Sequence, residues 1–347
     1  MLVAMSGGVD SSVAASMLVE QGHEVTGVTL KLWGGPSDSG CCSVADVEDA
    51  RHVAAQLAID HHVFNMGEEF EEHVVAPYVA AHAAGHTPNP CVECNRHLKF
   101  DALLEVSRRL GFEALATGHH AQVVRHDGVT ELRRGADGAK DQSYVLSMLE
   151  QEQLSEILLP IGSMTKTDVR DHASARGLRT SNKAESQDTC FIESSGGRRR
   201  FLAERSTLHQ GAIIEQATGR VVGSIDDLEL VTVGQRQRLG VDENGERRVA
   251  VKIDIGRRAV LVASPADSLI SEVAIDLGTT TATTGSLEDR EAVLVQFRSH
   301  GEAVAGTLQG DRVILDTPIN PVASGQTAAF YDPADPARVL GSALVRS

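Results

Sequence analysis

The sequence is poor in aromatic residues, and basic residues are scarce relative to acidic ones. Phe, Trp and Tyr make up 3% of the 347 residues, too few for a protein that binds nucleic acid mainly by stacking bases on aromatic rings. Lys and Arg total 32 against 48 Asp and Glu, so the net charge of −16 excludes a sequence-blind nucleic-acid coat. Local basic patches are still allowed, and the three consecutive arginines at 198–200 are the densest one.

Long apolar segments are also missing. No apolar run approaches the roughly 20 residues that a membrane-spanning helix needs. The first residues lack a basic region followed by an apolar core, so we expect no signal peptide. The five cysteines are an odd number and lack the spacing of a secreted disulfide framework. Together these absences predict a cytoplasmic protein that does not engage a membrane.

What the chain does contain is a distinctive loop at residues 5–12, with the sequence Met-Ser-Gly-Gly-Val-Asp-Ser-Ser. An apolar run predicts a buried strand before it, and apolar pairs four residues apart predict a helix after it. Gly7 and Gly8 let the backbone approach a bulky anion, which the free N–H groups and dipole of the helix then stabilise. Asp10 can hold Mg²⁺ beside phosphate. The loop lacks the Walker A and dinucleotide signatures and resembles the pyrophosphate loop of the ATP pyrophosphatases.

The order of strands and helices predicts three domains. Strands and helices alternate over residues 1–197, which is typical of an α/β fold with an open parallel sheet whose ligands bind at the carboxyl ends of the strands. Residues 196–200, two glycines and three arginines, are interpreted as a linker. Beyond it we expect a small β-rich domain over 198–267 and a closed β-barrel over 268–347.

Two cysteines lie in a proline-containing segment at residues 86–95. We expect Asn95 to cap the next helix, which would place Cys94 just ahead of the helix start, where a thiolate is favoured. Cys91 completes a Cys-x-x-Cys pattern. Cys190 lies 96 residues after Cys94, so only the fold can bring the two together. The adjacent Cys41 and Cys42 are interpreted as structural or incidental.

A set of motifs in one order then identifies a family. It comprises the opening loop, Thr-Pro-Asn-Pro at 87–90 with Cys94-Asn95, Ala-Thr-Gly-His at 116–119, Lys-Asp-Gln-Ser-Tyr at 140–144, Cys-Phe-Ile at 190–192 and Gly-Gln-Arg at 234–236. Together they resemble the tRNA-specific 2-thiouridylases, ATP pyrophosphatase-type sulfurtransferases that install 2-thiouridine at the wobble position. The resemblance runs essentially from end to end. It implies an adenine nucleotide α hydrolase-like N-terminal domain, a small central domain and a C-terminal β-barrel.

The resemblance also implies a mechanism and its residues. ATP, with Mg²⁺, adenylates the uracil 2-oxygen, and a persulfide on Cys190, delivered by a sulfur-carrier protein or cysteine desulfurase, attacks the activated carbon. Cys94 then resolves the persulfide through a transient Cys94–Cys190 disulfide. The residues implied to bind ATP are Ala4, Met5, Ser6, Gly7, Gly8, Val9, Asp10, Ser11, Leu30 and Gly118. Those implied to contact tRNA are Asn89, Pro90, Cys91, His119, Lys140, Asp141, Gln142, Arg298, Ser299 and Gln326.

One position departs from the family. Many members carry Asp where this chain has Cys91, and a thiol handles protons less well near neutral pH. The substitution also creates a third potential thiolate ligand. An alternative hypothesis is therefore that Cys91, Cys94 and Cys190 hold an iron–sulfur cluster or a zinc ion. We rank it below the persulfide route, because two nearby thiols are weak support for a metal site.

Two other functions compete with tRNA thiolation. A pyrophosphate-loop synthetase or ligase acting on a small metabolite would need neither Cys94 nor Cys190. A metal-containing RNA-binding module that merely inherited the loop would bind tRNA without turning over ATP. The sequence leaves open which tRNAs are accepted, which protein donates the sulfur, and the oligomeric state.

Overall fold

The computed structural model describes residues 1–32, 43–126, 128–184, 191–192, 196–283, 287 and 291–346. In this part of the chain the strands form sheets of five, four and eight strands. None of the helices in these ranges combines the length and apolar character that crossing a bilayer requires.

The strands are numbered in chain order. They are β1 Leu2–Ala4, β2 Thr26–Lys31, β3 Asp60–Asn65, β4 Leu115–Ala116, β5 Ala121–His126, β6 Val129–Arg134, β7 Ile157–Leu158, β8 Gly211–Glu215, β9 Val221–Ile225, β10 Val249–Asp254, β11 Ala259–Ala263, β12 Ile270–Ala282, β13 Val293–Gln296, β14 Val304–Gln309, β15 Arg312–Ile319, β16 Thr327–Asp332 and β17 Asp335–Val345.

The helices are numbered in the same way. The α-helices are α1 Val9–Glu20, α2 Val44–Gln56, α3 Gly67–Phe70, α4 Ala76–Ala83, α5 Pro90–Glu93, α6 Leu103–Arg109, α7 Gln151–Ser155, α8 Lys166–Ala175 and α9 Arg198–Ala203. Two π-helical segments, Glu71–Val75 and Cys94–Ala102, join α3 to α4 and α5 to α6. Single 3₁₀ turns lie at Ser143–Leu146 and Leu228–Leu230.

The first sheet is parallel throughout and has the order β3-β2-β1-β4-β7. Its central strands are apolar on both sides because helices cover both faces, and Val3 and Val28 are fully buried. Helix α1 packs on α8, and capping boxes at Ser43 and Thr165 fix where α2 and α8 begin. The predicted parallel-sheet α/β fold of the N-terminal region is confirmed. The strands β4 and β7 have only two residues each.

The hairpin β5–β6 was not expected from the sequence. It belongs to the N-terminal region by sequence, yet Arg133 of β6 pairs with Arg338 of β17 and so extends the third sheet. Leu132 and Tyr144 share one apolar cluster with Tyr331 of β16. The N-terminal region and the C-terminal sheet are therefore packed together through a common core.

The second and third sheets agree with the expected β-rich regions. The second has the order β10-β11-β8-β9, and in the third the strands β12-β15-β14-β13-β16-β17 close through a β12–β17 pairing. This closed six-stranded barrel confirms the predicted C-terminal fold. The boundaries predicted at 197/198 and 267/268 stay a prediction.

The interpretation of residues 196–200 as a linker is wrong for the arginines. They start helix α9, because Phe201 and Leu202 behind them are fully buried and anchor that helix. Phe201 packs edge-on against Phe191, with ring centroids 5.0 Å apart. The segment therefore joins the two regions as a packed helix.

Candidate active site

The 5–12 loop leaves β1 at the carboxyl edge of the first sheet and includes the first turn of α1. Gly7 has φ of +73°, and a Cβ there would lie 2.2 Å from the carbonyl oxygen of Asp46. Only glycine lets the first turn of α2 approach the loop this closely. The backbone N–H of Ser6 donates to Oγ of Ser11 at 3.1 Å, which closes the loop on itself. The loop is thus held by a contact within its own sequence and by its close approach to α2.

Asp10 lies in the first turn of α1 and is held by two basic side chains. Lys166 Nζ lies 2.7 Å from Oδ1 and 2.8 Å from Oδ2, and His120 Nε2 lies 3.2 Å from Oδ1. Burial raises the pKa of Asp10, but the hydrogen bonds from His120 and Lys166 and the positive charge of Lys166 outweigh it. The pKa therefore lies below its ordinary value of 3.8, and the carboxylate is charged at neutral pH.

A second lysine supports the loop from the other side. Lys183 Nζ donates to the carbonyl oxygen of Gly7 at 3.0 Å and pairs with Asp46 at 2.6 Å and Asp49 at 2.7 Å. Sequence reasoning missed Lys183, Lys166 and His120. They are distant in the chain from the loop that they contact, and no local pattern marks them.

Gly118 follows β4 and packs against the start of α1. A Cβ on this residue would lie 2.5 Å from the backbone N of Ser11 and 2.6 Å from the carbonyl carbon of Asp10. The carboxyl ends of β1 and β4 therefore approach each other as a parallel sheet requires. The structure gathers all the residues predicted to bind ATP at the β1, β2 and β4 end of the sheet: Ala4, Met5, Ser6, Gly7, Gly8, Val9, Asp10, Ser11, Leu30 and Gly118.

The helix that bears Cys91 begins earlier than the sequence predicts. Asn89 is the N-cap, its side chain accepts the N–H of Cys91 at 3.0 Å, and Pro90 occupies the first helical position. Asn95 is not a cap. It is buried, and its side-chain amide donates to the carbonyl of Val145 at 3.1 Å. Proline at the first position is the signal that identifies the true start.

Cys94 consequently lies inside a helical segment rather than ahead of one. Cys91 is exposed in the first turn, whereas Cys94 is half-buried against the main apolar cluster. Cys190 lies outside the described residues, as do Cys41 and Cys42. Within the described ranges, no three His, Cys, Asp or Glu side chains are grouped as metal ligands.

His119 was expected to contact tRNA, but its side chain is buried and contacts Lys99 and Thr117. Nε2 lies 3.4 Å from Nζ of Lys99, and Nδ1 lies 2.7 Å from Oγ1 of Thr117. Burial lowers the pKa of His119 well below 6.5, and the Lys99 charge lowers it further. His119 is therefore a neutral base with 7% of its surface exposed. Its assignment as a tRNA contact stays a prediction, one that this burial does not favour.

The loop before the thiol helix is docked on the barrel. The backbone N–H of Thr87 donates to the carbonyl of Ser324 at 2.8 Å, and the Gln326 side chain donates to the carbonyl of Thr87. Nδ1 of His86 lies 2.8 Å from the Ser324 hydroxyl. Gln326 is thus next to the segment that leads into Asn89, Pro90 and Cys91.

A second contact ties Asp141 to the loop that carries Arg298 and Ser299. Arg134 reaches Asp141 Oδ2 at 2.7 Å and the Gln296 side-chain oxygen at 3.0 Å. The Gln296 amide then donates to the carbonyls of Arg298 and Ser299, at 2.8 and 3.2 Å. Asp141 also accepts from the backbone N–H of Gly135 and Ser143. These contacts support the loop's shape, and Arg298 itself is exposed.

Lys140 and Gln142 flank Asp141 in the same loop. The side-chain oxygen of Gln142 accepts the backbone N–H of His120 at 2.9 Å, so this loop also reaches the strand end beside Asp10. The arginine run at 198–200 is already paired. Arg198 donates to the carbonyl of Leu230, Arg199 pairs with Asp227, and Arg200 pairs with Glu204.

Comparison with known families agrees with this architecture. Residues 1–194 match a family model described as "tRNA methyl transferase HUP domain". Residues 279–345 match one described as "Aminomethyltransferase beta-barrel domain".

The names of full-length relatives state a different reaction from the one in the description of the first family model. The "tRNA-specific 2-thiouridylase MnmA" of Chloroflexus aggregans is 43% identical over 355 residues, covering 99% of this chain and 97% of that protein. The protein of the same name from Mycobacterium avium is 42% identical, covering 99% and 98%. Among solved structures, the NMN synthetase of Francisella tularensis is 17% identical with a TM-score of 0.35, covering 60% of this chain and 77% of that chain. A likeness this distant carries no functional argument.

Proposed function

Because the chain belongs to the family of tRNA-specific 2-thiouridylases, we propose that it catalyses ATP-dependent 2-thiolation of uridine at the wobble position of tRNA. The observation that carries the proposal is a single helical run, residues 90–109. Its first turns hold Cys91 and Cys94, and Lys99 farther along contacts His119 beside the nucleotide loop. The helical run that bears both thiols therefore contacts His119, and the preceding Gly118 packs against the first turn of α1.

The chemistry explains why ATP is needed. A uracil 2-carbonyl is a poor electrophile, and its oxygen is a poor leaving group. Transfer of AMP to that oxygen releases pyrophosphate and makes the oxygen part of a phosphate leaving group. The N–H groups at the start of α1 and the Lys166 ammonium are the chain's groups for binding the phosphates.

Mg²⁺ fits the donors at this loop. Asp10 offers a carboxylate, and Mg²⁺ prefers one or two carboxylates together with substrate phosphates. When bound, the ion would neutralise phosphate charge. Since Lys166 holds both oxygens of Asp10, we propose that Lys166 transfers from Asp10 to a phosphate when ATP and Mg²⁺ bind.

Sulfur transfer is assigned to Cys190 and Cys94. The terminal sulfur of a Cys190 persulfide attacks C2, the C2–O bond breaks, and AMP leaves with the electron pair. The Cys94 thiolate then attacks the Cys190 sulfur and breaks the S–S bond, which leaves sulfur on the base and a Cys94–Cys190 disulfide. A thiol reductant must reduce that disulfide, and a sulfur carrier or cysteine desulfurase must supply the next persulfide.

Packing around Phe191 supports this assignment. Phe191 follows Cys190 directly in the sequence and is buried against Phe70 and Tyr78, with ring centroids 5.6 Å away in each case. Cys94 packs against the same apolar cluster. Phe191 and Cys94 thus belong to one apolar cluster, and the proposal requires the residue before Phe191 to reach Cys94 during the reaction.

We propose that tRNA binds to the face formed where the 86–90 loop and the 140–142 loop meet the barrel. Gln326 holds the first loop, and Arg134 with Gln296 joins the second to Arg298 and Ser299. A face of this kind can position a folded RNA through its backbone while one base enters the site.

The test is mass spectrometry of nucleosides from unmodified tRNA incubated with the protein, ATP, Mg²⁺ and a sulfide or persulfide source. We expect 2-thiouridine from the wild-type chain and from Glu204→Gln, a surface control. We expect none from Asp10→Ala, or from Cys190→Ser when persulfide is the donor. Absence of ATP-dependent 2-thiouridine from the wild type would refute the function. Undiminished product from Cys190→Ser with persulfide would refute the persulfide route alone.

The metal-binding alternative predicts a different composition. If Cys91, Cys94 and Cys190 held an iron–sulfur cluster, anaerobically purified protein would contain iron and acid-labile sulfide, both lost on Cys91→Ser. A zinc site would appear as zinc alone. The persulfide route predicts neither iron with acid-labile sulfide nor zinc.

A further inference from the structure

Lys99 lies on the π-helical segment Cys94–Ala102, five residues after Cys94. In an α-helix two residues five apart point about 140° away from each other. In a π-helix the N–H of residue i+5 bonds to the carbonyl of residue i, so the two lie one turn apart on one side. The N–H of Leu103 donates to the carbonyl of Leu98 in this manner at the end of the segment. The π-helical winding therefore gives Cys94 and Lys99 a common face.

The contact between Lys99 and His119 fixes how protons are arranged there. An ammonium group only donates hydrogen bonds, so Nε2 of His119 accepts from Nζ of Lys99 at 3.4 Å. The proton of the imidazole is then on Nδ1, which donates to Oγ1 of Thr117 at 2.7 Å. A buried, neutral histidine thus holds the ammonium of a half-buried lysine next to Gly118, the residue that packs against the first turn of α1.

Among the described residues, no carboxylate balances the charge of Lys99. Lys166 holds Asp10, and Lys183 holds Asp46 and Asp49, but no carboxylate of the described chain lies within ion-pair distance of Lys99. A half-buried cation whose neighbour is a neutral base is unfavourable unless an anion completes its surroundings. At this edge of the sheet, the anion of suitable charge is a nucleotide phosphate.

We propose that Lys99 is a further catalytic residue, whose ammonium binds the α-phosphate of the uridine adenylate and stabilises AMP as it leaves. The inference rests on the proposed function. In the proposed function the pyrophosphate of ATP binds at the 5–12 loop, whereas the α-phosphorus is bonded to the uracil 2-oxygen in the adenylate. A cation on the helix that bears Cys94, in contact with His119 beside Gly118, is suited to bind that phosphorus–oxygen–carbon bridge.

The step that Lys99 assists is the second one. The sulfur–C2 bond forms, the C2–O bond breaks, and the electron pair goes to the phosphate oxygen, which gains one negative charge. The ammonium stabilises that charge without giving up its proton. Removing one such charge stabiliser typically slows a reaction by about 10²- to 10³-fold.

The experiment compares Lys99→Gln, Lys99→Arg and the exposed control Lys252→Gln in the full-length protein under single-turnover conditions. The assay contains tRNA, ATP and Mg²⁺, with sulfide as nucleophile so that persulfide loading does not matter. We expect Lys99→Gln to form 2-thiouridine about 10²-fold more slowly and to accumulate adenylated tRNA. Lys99→Arg should recover part of the rate, and Lys252→Gln should match the wild type.

A binding measurement supplies a readout that a merely structural role would not move. AMP affinity should fall about 10-fold in Lys99→Gln while adenosine affinity stays unchanged. If the wild type forms no 2-thiouridine, the proposed function fails. If the wild type is active and Lys99→Gln stays within threefold of it, or loses AMP and adenosine binding equally, the role of Lys99 is wrong and the proposed function stands.

Discussion

Lys166 places its ammonium between the two carboxylate oxygens of Asp10, although the two residues are 156 positions apart in the sequence. The pair fixes a cation beside the loop at which we propose that ATP binds. Since His120 also contacts Asp10, the carboxylate is held by the first residue of α8 and by the segment between β4 and β5. Residues from outside the loop therefore fix the position of its carboxylate.

We expect Asp10→Asn and Lys166→Met each to lower kcat for tRNA-dependent pyrophosphate release by about 10²- to 10³-fold. The two residues act as one unit, so the double variant should be hardly slower than the worse single variant. Pyrophosphate release in the presence of unmodified tRNA is the measurement.

The matched control for this pair is Glu204→Gln, which breaks an exposed ion pair with Arg200. Exposed pairs contribute about 0–1 kcal/mol, so its pyrophosphate release should equal that of the wild type. Strict additivity of the Asp10 and Lys166 effects would contradict the coupling.

The loop itself was predictable because its neighbours in the chain determine it. A buried strand, two glycines and a helix follow one another in the sequence, and their local preferences agree with the fold. The cations around the loop were not predictable. Lys183 and Lys166 reach it only through tertiary packing, and nothing in their local sequence distinguishes them from surface lysines.

Two other differences between the predicted and the observed structure have identifiable physical causes. Both Asn89 and Asn95 can cap a helix, and Pro90 decides between them because its fixed φ suits the first helical position. The hairpin β5–β6 could not be predicted from the sequence because it is partly exposed and its pairing partner, β17, is about 200 residues away. The π-helical winding of Cys94–Ala102 has no sequence signature, yet it determines which side chains share a face with Cys94.

Gly118→Ala should disrupt nucleotide binding. The added Cβ would lie 2.5 Å from the backbone of Ser11, and backbone atoms cannot move aside as a flexible side chain can. Overpacking of this kind typically costs 1–3 kcal/mol. We expect ATP affinity, measured by calorimetry, to fall by about 10-fold or more.

Gly138→Ala is the control for Gly118→Ala. No atom lies within 4 Å of a Cβ at Gly138, and its backbone is not in the left-handed region. This variant should keep wild-type ATP affinity. Equal affinities for ATP in both variants would show that the close approach of Gly118 to α1 is unimportant.

Arg134→Lys should weaken tRNA binding without changing ATP binding. Arg134 contacts Asp141 and Gln296, and its guanidinium lies 3.8 Å from the ring centre of Tyr331. Lysine cannot make these planar, divergent contacts at once. Losing these contacts at a mostly buried charged group should cost about 1–3 kcal/mol of stabilisation, which should loosen the loop bearing Arg298. We expect tRNA affinity, measured by filter binding, to fall about 10-fold.

The exposed Arg257→Lys serves as the control for Arg134→Lys, since 83% of its side-chain surface is exposed. It should leave tRNA affinity unchanged. If Arg134→Lys weakened ATP and tRNA binding to the same extent, the contact would support the fold generally rather than the tRNA face.

His82 joins helix α4 to the second sheet region. Its Nδ1–H donates to the carbonyl of Glu229 at 2.9 Å, and its ring packs edge-on against Tyr78. Burial lowers the pKa of His82 to about 4. The hydrogen bond to Glu229 opposes that shift, and the charge of Arg198 adds to it. The folded protein therefore keeps this histidine neutral at pH values where the unfolded chain, with a pKa of 6.5, is protonated.

The resulting pH dependence follows from proton binding to the unfolded state. Between pH 6.5 and about 4 the unfolded chain binds a proton at His82 that the folded protein does not, so this contribution to stability is complete above pH 6.5 and is lost as the pH falls. A difference of 2.5 pKa units corresponds to about 3 kcal/mol. In His82→Asn the side-chain amide can replace the Nδ1–H donor but does not titrate. Between pH 7.5 and 4.5, its free energy of unfolding by urea should therefore decrease less than that of the wild type, and the difference should be roughly those 3 kcal/mol. The exposed His23→Asn should behave as the wild type. An identical pH dependence in His82→Asn and the wild type would rule out a buried neutral histidine at this junction.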